Sequence, residues 1–133
     1  MDIMDELANT SVYKKNRFIQ IENAFINNNK YTTDEKMLYL SLCTYAFNKN
    51  NCYPSHSTLS ENLGISRQKI IRVMKSLEIK KGILIIKRKY QSNRTTSNLY
   101  ILSDIDNITG DFIEESLNDF LQYKNEVVIL KGK

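Results

Sequence analysis

Apolar and polar positions change period several times along the chain, and each change marks an element. Residues 1–16 are polar and mixed, which suggests an N-terminal arm, either a short helix or loose. Phe18 to Glu22 alternates apolar and polar, the pattern of a short strand or extended arm. Asn27-Asn28-Asn29-Lys30 is a turn signal. Thr32 precedes Glu35 by three, a capping box, and Met37 to Phe47 is apolar nearly all round. This predicts a central buried helix over about 33–48, with Tyr39, Tyr45 and Phe47 in the core.

Asn48 to Asn51 ends that helix, and Cys52-Tyr53 suits a short extended piece. Pro54 and Ser55 set up a short helix over 56–63, with Leu59 and Leu63 on one face. Gly64 stops it, Ile65 packs inward and Ser66 caps a helix from Arg67 to about Lys80. There the apolar positions Ile70, Val73, Met74 and Leu77 form the i, i+3, i+4, i+7 stripe of a helix lying on a core. Gly82 is the expected C-terminal stop. The period then shortens to two. Ile83–Tyr90 and Ser97–Leu102 read as strands around the polar tip 91–96, a β-hairpin. After Asp104 a helix is expected over 111–123, with Phe112, Ile113, Leu117, Phe120 and Leu121 on one face. Val127 to Leu130 is a last apolar piece.

A long helix, a short helix, a Gly turn, a third helix and a hairpin make a winged helix-turn-helix. The expected fold is therefore α+β and mostly helical, with a two-stranded wing and a C-terminal helical extension. The expected divisions are an arm over 1–16, the winged domain over 17–103 and an acidic extension over 104–133.

Charge sharpens this picture. The net charge of +4 is modest, but residues 1–103 carry 16 basic against 8 acidic residues, while 104–133 carry 3 against 7. Between Arg67 and Arg94 ten basic residues face Glu78 alone. So dense a run repels itself unless a polyanion neutralises it, which favours nucleic acid over a merely solvated surface. With the stripe buried, the outer side of the third helix presents Arg67, Gln68, Ile71, Arg72 and Lys75. Arg and Gln make paired hydrogen bonds to guanine and adenine edges, and an exposed Ile suits a thymine methyl or a protein rim contact. These five are the candidate base readers. Candidate phosphate and wing contacts are Ser55, His56, Ser57, Lys69, Lys87, Arg88, Lys89 and Arg94. Ser55 also has a plainer reading as a helix cap.

The catalytic inventory is thin. One His, no phosphate-binding Gly loop, and Cys43 and Cys52 nine apart match neither zinc nor redox spacing. Both thiols read as buried apolar groups. Asp104, Asp106 and Asp111 are the one acidic group to weigh for a nuclease. No enzyme, cofactor or metal is expected. The longest apolar run, Ile83–Ile86, is too short for a bilayer and the start lacks a signal-peptide pattern, so a cytoplasmic protein without membrane contact is expected.

Tyr53 to Ile70, in particular Tyr53-Pro54-Ser55, Thr58-Leu59, Leu63-Gly64 and Ser66-Arg67, resembles bacterial winged-helix DNA-binding domains. Lys81-Gly82-Ile83-Leu84 and Ser97-Asn98-Leu99-Tyr100 are similar to that family's marks around the wing. Phe18-Ile19-Gln20-Ile21 with Glu35 to Tyr39 resembles the start of plasmid and phage replication-initiator and replisome-organiser N-terminal domains. The resemblance implies a double-stranded DNA-binding protein acting in replication initiation, partition, DNA transfer or transcription regulation. High Asn, Lys and Ile usage points to an AT-rich bacterium, plasmid or phage. A homodimer, or a protein partner through 111–130, is expected because the apolar face there needs cover. The alternative is a protein-interaction module on a winged-helix scaffold without specific DNA readout.

Overall fold

The computed structural model describes residues 18–47 and 49–131. The expected arm over 1–16 lies outside them, as does the last residue of the helix expected over 33–48. Phe18 to Glu22 forms no strand, and a single helical turn, α1 (Asn23–Ile26), follows it. Helix α2 (Thr33–Ala46) opens on the expected capping box: Thr32 accepts from the Glu35 N–H, and the Glu35 carboxylate accepts from the Thr32 N–H at 2.8 Å. The helix is not buried all round. Leu38, Tyr39, Leu42 and Ala46 face the core, while Met37, Tyr45 and Phe47 are exposed. Apolar composition did not separate these two faces; only the packed neighbours do.

Strand β1 (Asn51–Cys52) leads to α3 (His56–Leu63), capped by Ser55, which accepts from the Thr58 N–H at 3.0 Å. Gly64 takes φ +68, the left-handed turn between the two helices that a side chain would strain. Helix α4 (Arg67–Ile79) starts on Ser66, which accepts from the Lys69 N–H at 3.1 Å. It ends in a Schellman turn: the Gly82 N–H donates to Leu77 O and the Lys81 N–H to Glu78 O. The left-handed residue of that turn is Lys81, not glycine. Gly82 is needed for space, since a Cβ there would lie 2.5 Å from the Phe112 ring.

Strand β2 (Ile83–Tyr90) pairs antiparallel with β3 (Leu99–Leu102) only along Ile83–Ile86. Strands β4 (Asp104–Ile105) and β5 (Phe112–Ile113) form a small separate ladder. The helix expected over 111–123 is a strand followed by a 3-10 helix, Glu114–Tyr123. Its apolar contacts follow a period of three: Leu117 is buried and Phe120 packs beside it, while Leu121 is exposed. Strand β6 (Val127–Leu130) pairs parallel with Lys87–Tyr90. The sheet order is therefore β1-β3-β2-β6, and the wing is not a simple two-stranded hairpin. Near its tip the hairpin keeps a bridge from Lys89 to Thr95 and a bond from the Tyr90 N–H to Arg94 O.

Two apolar clusters sandwich the sheet. Ile83, Tyr100 and Leu102 face the helices with Phe25, Leu38, Leu59, Ile70 and Met74. Leu84, Ile86 and Ile101 face the other way, under Leu117. Residues 104–130 thus pack on both sides of the sheet and extend its border. Phe112 sits in the helical cluster among Phe25, Tyr31 and Tyr39, and its N–H donates to the Tyr31 hydroxyl at 2.9 Å. The architecture is α+β, a helix-turn-helix with a strand wing.

Candidate nucleic-acid interface

Helix α4 divides cleanly. Ile70, Met74 and Leu77 are buried, and Val73 packs against them. Arg67, Gln68, Ile71, Arg72 and Lys75 are all exposed. Their spacing places them on one outward strip. Ile71, 41% exposed, is the sole apolar member of that strip. Every side chain on it ends in a hydrogen-bond donor or a methyl group, and none carries negative charge. Such a strip can address a groove lined by acceptors.

Lys69 is half-buried and already paired. Its ammonium lies 3.2 Å from the Asp34 carboxylate in the first turn of α2, so it ties α4 to α2. The start of α3 is also occupied. Ser55 Oγ caps the helix and donates to Thr58 Oγ1 at 2.9 Å, the plainer of its two readings. His56 Nε2 sits 3.2 Å from the Tyr100 hydroxyl. Burial, and then the positive charge of Arg67, hold the His56 pKa below that of a free imidazole. Both effects disfavour the charged imidazole that a phosphate contact would use. Ser57 stands exposed at the same helix start.

The wing sorts its bases by face. Ile83 and Ile85 point to the helices, so alternation carries Lys87 and Lys89 to that same side, beyond the end of the core. Lys87 is exposed and Lys89 half-buried. Arg88 points the other way and is held: its Nε donates to Ser97 O at 3.0 Å, and its guanidinium stacks 4.8 Å from the Tyr53 ring centroid. Arg94 is exposed at the tip, 5.8 Å from the Tyr90 ring centroid. Tyr53 is thus an aromatic neighbour of the wing that sequence reasoning did not single out. Its contact with Arg88 spans 35 positions and has no local signal.

An ion pair with one buried partner ties α2 to the end of α4. Glu35, 2% exposed, accepts from Lys80 Nζ at 2.7 Å and from the Ser76 hydroxyl. Burial alone would raise its pKa, but the bonds from Lys80, Ser76 and the Thr32 N–H outweigh it and hold the carboxyl below the usual range. The thiols lie apart from the interface. Burial pushes Cys43 up to about 11 and Cys52 to about 12. Asp106 and Asp111 shape a turn: Asp106 accepts from the Ile108 and Thr109 N–H groups, and Asp111 accepts from Lys30 and Asn28. Among the described residues no group of three or more His, Cys, Asp or Glu is placed to hold a metal ion. No described helix is long and apolar enough to cross a membrane.

A family model described as a helix-turn-helix domain matches residues 32–84, from the α2 cap through α3 and α4 to the start of β2. This is the segment that builds and aims the exposed strip of α4. No curated protein matches the chain, and no solved structure does.

Proposed function

We propose that the protein binds double-stranded DNA in a sequence-specific manner, with α4 in the major groove and the wing on the flanking backbone. The observation that carries this is the outward strip Arg67, Gln68, Ile71, Arg72 and Lys75 on a helix whose opposite side packs on the core through Ile70, Met74 and Leu77. In this reading Arg67 and Arg72 address guanine edges, Gln68 an adenine, and Ile71 a thymine methyl. Lys87, Lys89 and Arg94 neutralise phosphates and fix register. Ser57 is a further backbone donor at the α3 start. Lys69, His56 and Arg88 position other groups instead.

The helix-turn-helix match over residues 32–84 supports DNA as the partner. The finer reading is of a cytoplasmic binding protein, with no catalytic step, from a plasmid, phage or AT-rich bacterium. It acts in replication initiation, partition, DNA transfer or transcription regulation, and it works as a two-fold dimer on paired half-sites. A second reading, a protein-interaction module, draws on the exposed Ile71 and Ile79 of α4.

Selection from a random duplex library at near-physiological salt separates the two, because low salt alone promotes unspecific binding. The DNA reading expects an enriched motif, and inverted half-sites about 34 Å apart if a two-fold dimer binds. A pool without enrichment, from folded protein, overturns it in favour of the interaction module.

A further inference from the structure

Strand β6 forms one border of the sheet. Its inner edge pairs with Lys87–Tyr90, and among the described residues nothing pairs with its outer edge. Protein edge strands are commonly guarded by a Lys, a Pro or a bulge. Val127-Val128-Ile129-Leu130 has none of these. Val128 packs into the cluster under Leu117, whereas Val127 and Ile129 stand on the opposite face at 45% and 50% exposure. The backbone edge and the apolar side chains beside it thus share one uncovered border.

We propose that this edge pairs antiparallel with β6 of a second copy, joining the two sheets across a two-fold axis at Val128. The inference rests on the two-fold reading above and assigns its seam. A two-fold axis normal to the sheet keeps each face continuous, so paired positions must point the same way. Centring on Val128 sets Val127 opposite Ile129 of the second copy, and Ile129 opposite its Val127. Four exposed β-branched side chains then close into one strip, the cross-strand pairing that stabilises sheets.

Charge selects a second copy in this direction. Strand β6 runs parallel to β2, towards the wing tip. An antiparallel copy lays its own tip beside the chain entering β6. At and just beyond the tip end of β6 stand Lys89, Arg94 and Lys131. The entering chain carries Glu114, Glu115, Asp119 and Glu126 against Lys124. Glu114 lies 3.8 Å from Lys81, which places the start of that chain at the core end of β2. Basic tip therefore meets acidic entry twice about the axis. A copy added in the parallel sense would set tip beside tip, where like charges repel.

The test is the mass in solution of the full chain without DNA, by light scattering over a concentration series reaching about 100 μM. That range detects dimers down to modest association strength. A dimer is expected. Ile129→Lys and Val127→Lys both replace exposed side chains and should leave the circular dichroism unchanged. Each should raise the dimer Kd by about a hundredfold, because a charge on a joined edge loses its water. A dimer indifferent to both substitutions overturns this seam and leaves the two-fold reading standing. A wild-type monomer throughout the series overturns both. Enrichment of a DNA motif is read separately, so failure of the seam and failure of DNA binding are distinguishable.

Discussion

Arg72 and Gln68 stand one turn apart on the outer strip of α4, and neither supports the core. Replacing either by Ala should leave stability within about 0.5 kcal/mol. Arg72→Ala should cost about 1–3 kcal/mol at one position of the DNA site and relax preference there. A binding titration against single-base variants of the selected site measures both effects. Lys87→Ala should act differently, weakening all duplexes alike and lowering the slope of log K against log salt by about one. The residue types alone pointed to these roles, because a charged or amide side chain opposite an apolar stripe has little to do but face outward. Lys69 and Arg88 show where that logic stops. Both are basic and near the interface, yet Lys69 pairs with Asp34 and Arg88 is held by Ser97 and Tyr53.

At the scale of elements, the 3-10 helix covers the sheet on the side away from α4. Leu117→Ala removes a buried side chain from the smaller cluster and should cost about 2–4 kcal/mol in a denaturant titration. Gly82→Ala should cost about 1–3 kcal/mol by pushing a methyl group into the Phe112 ring. Adding Phe112→Leu should couple with it, so that the two costs do not sum. The helix ends were legible in advance because caps are local: Thr32, Ser55 and Ser66 each occupy the position their sequence signals. The element after Asp104 was not. Leu117, Phe120 and Leu121 suit either helical period, and the surface of β2 and β3 beneath them selects the period of three.

At the scale of the molecule, charge and packing divide the sheet into two sides. Bases collect on α4 and the distal wing, and acids on the segment that returns across the other face. Glu35 and Lys80 hold the helices beneath. Because the folded Glu35 pKa lies below its unfolded value, its contribution is present above the ordinary carboxylate range and is lost as pH falls through the folded pKa. His56, also lowered, adds stability above the ordinary imidazole range that is lost on acidification. Denaturation midpoints should therefore decline from neutral to acid pH. Lys80→Met should lower stability by about 1–3 kcal/mol at pH 7, with the difference from wild type shrinking as Glu35 protonates. An unchanged pH profile in that variant would remove the ion pair from this account.

The order of elements from Thr32 to Leu102, their caps, and the outward strip of α4 were determined by the sequence alone. Each rests on interactions within a few residues: a hydroxyl on a nearby N–H, a left-handed turn, an apolar repeat of fixed period. Tertiary structure decided the rest. It gave β6 its place beside β2, made Lys81 the left-handed residue so that Gly82 could admit Phe112, and assigned each base of the wing to a face or a partner. The place of β6, the fit of Phe112 over Gly82 and the stacking of Arg88 on Tyr53 depend on contacts between residues 30 to 40 positions apart. A strand does not carry the identity of its neighbour in its own sequence, because backbone pairing accepts any residue that offers an N–H and a C=O.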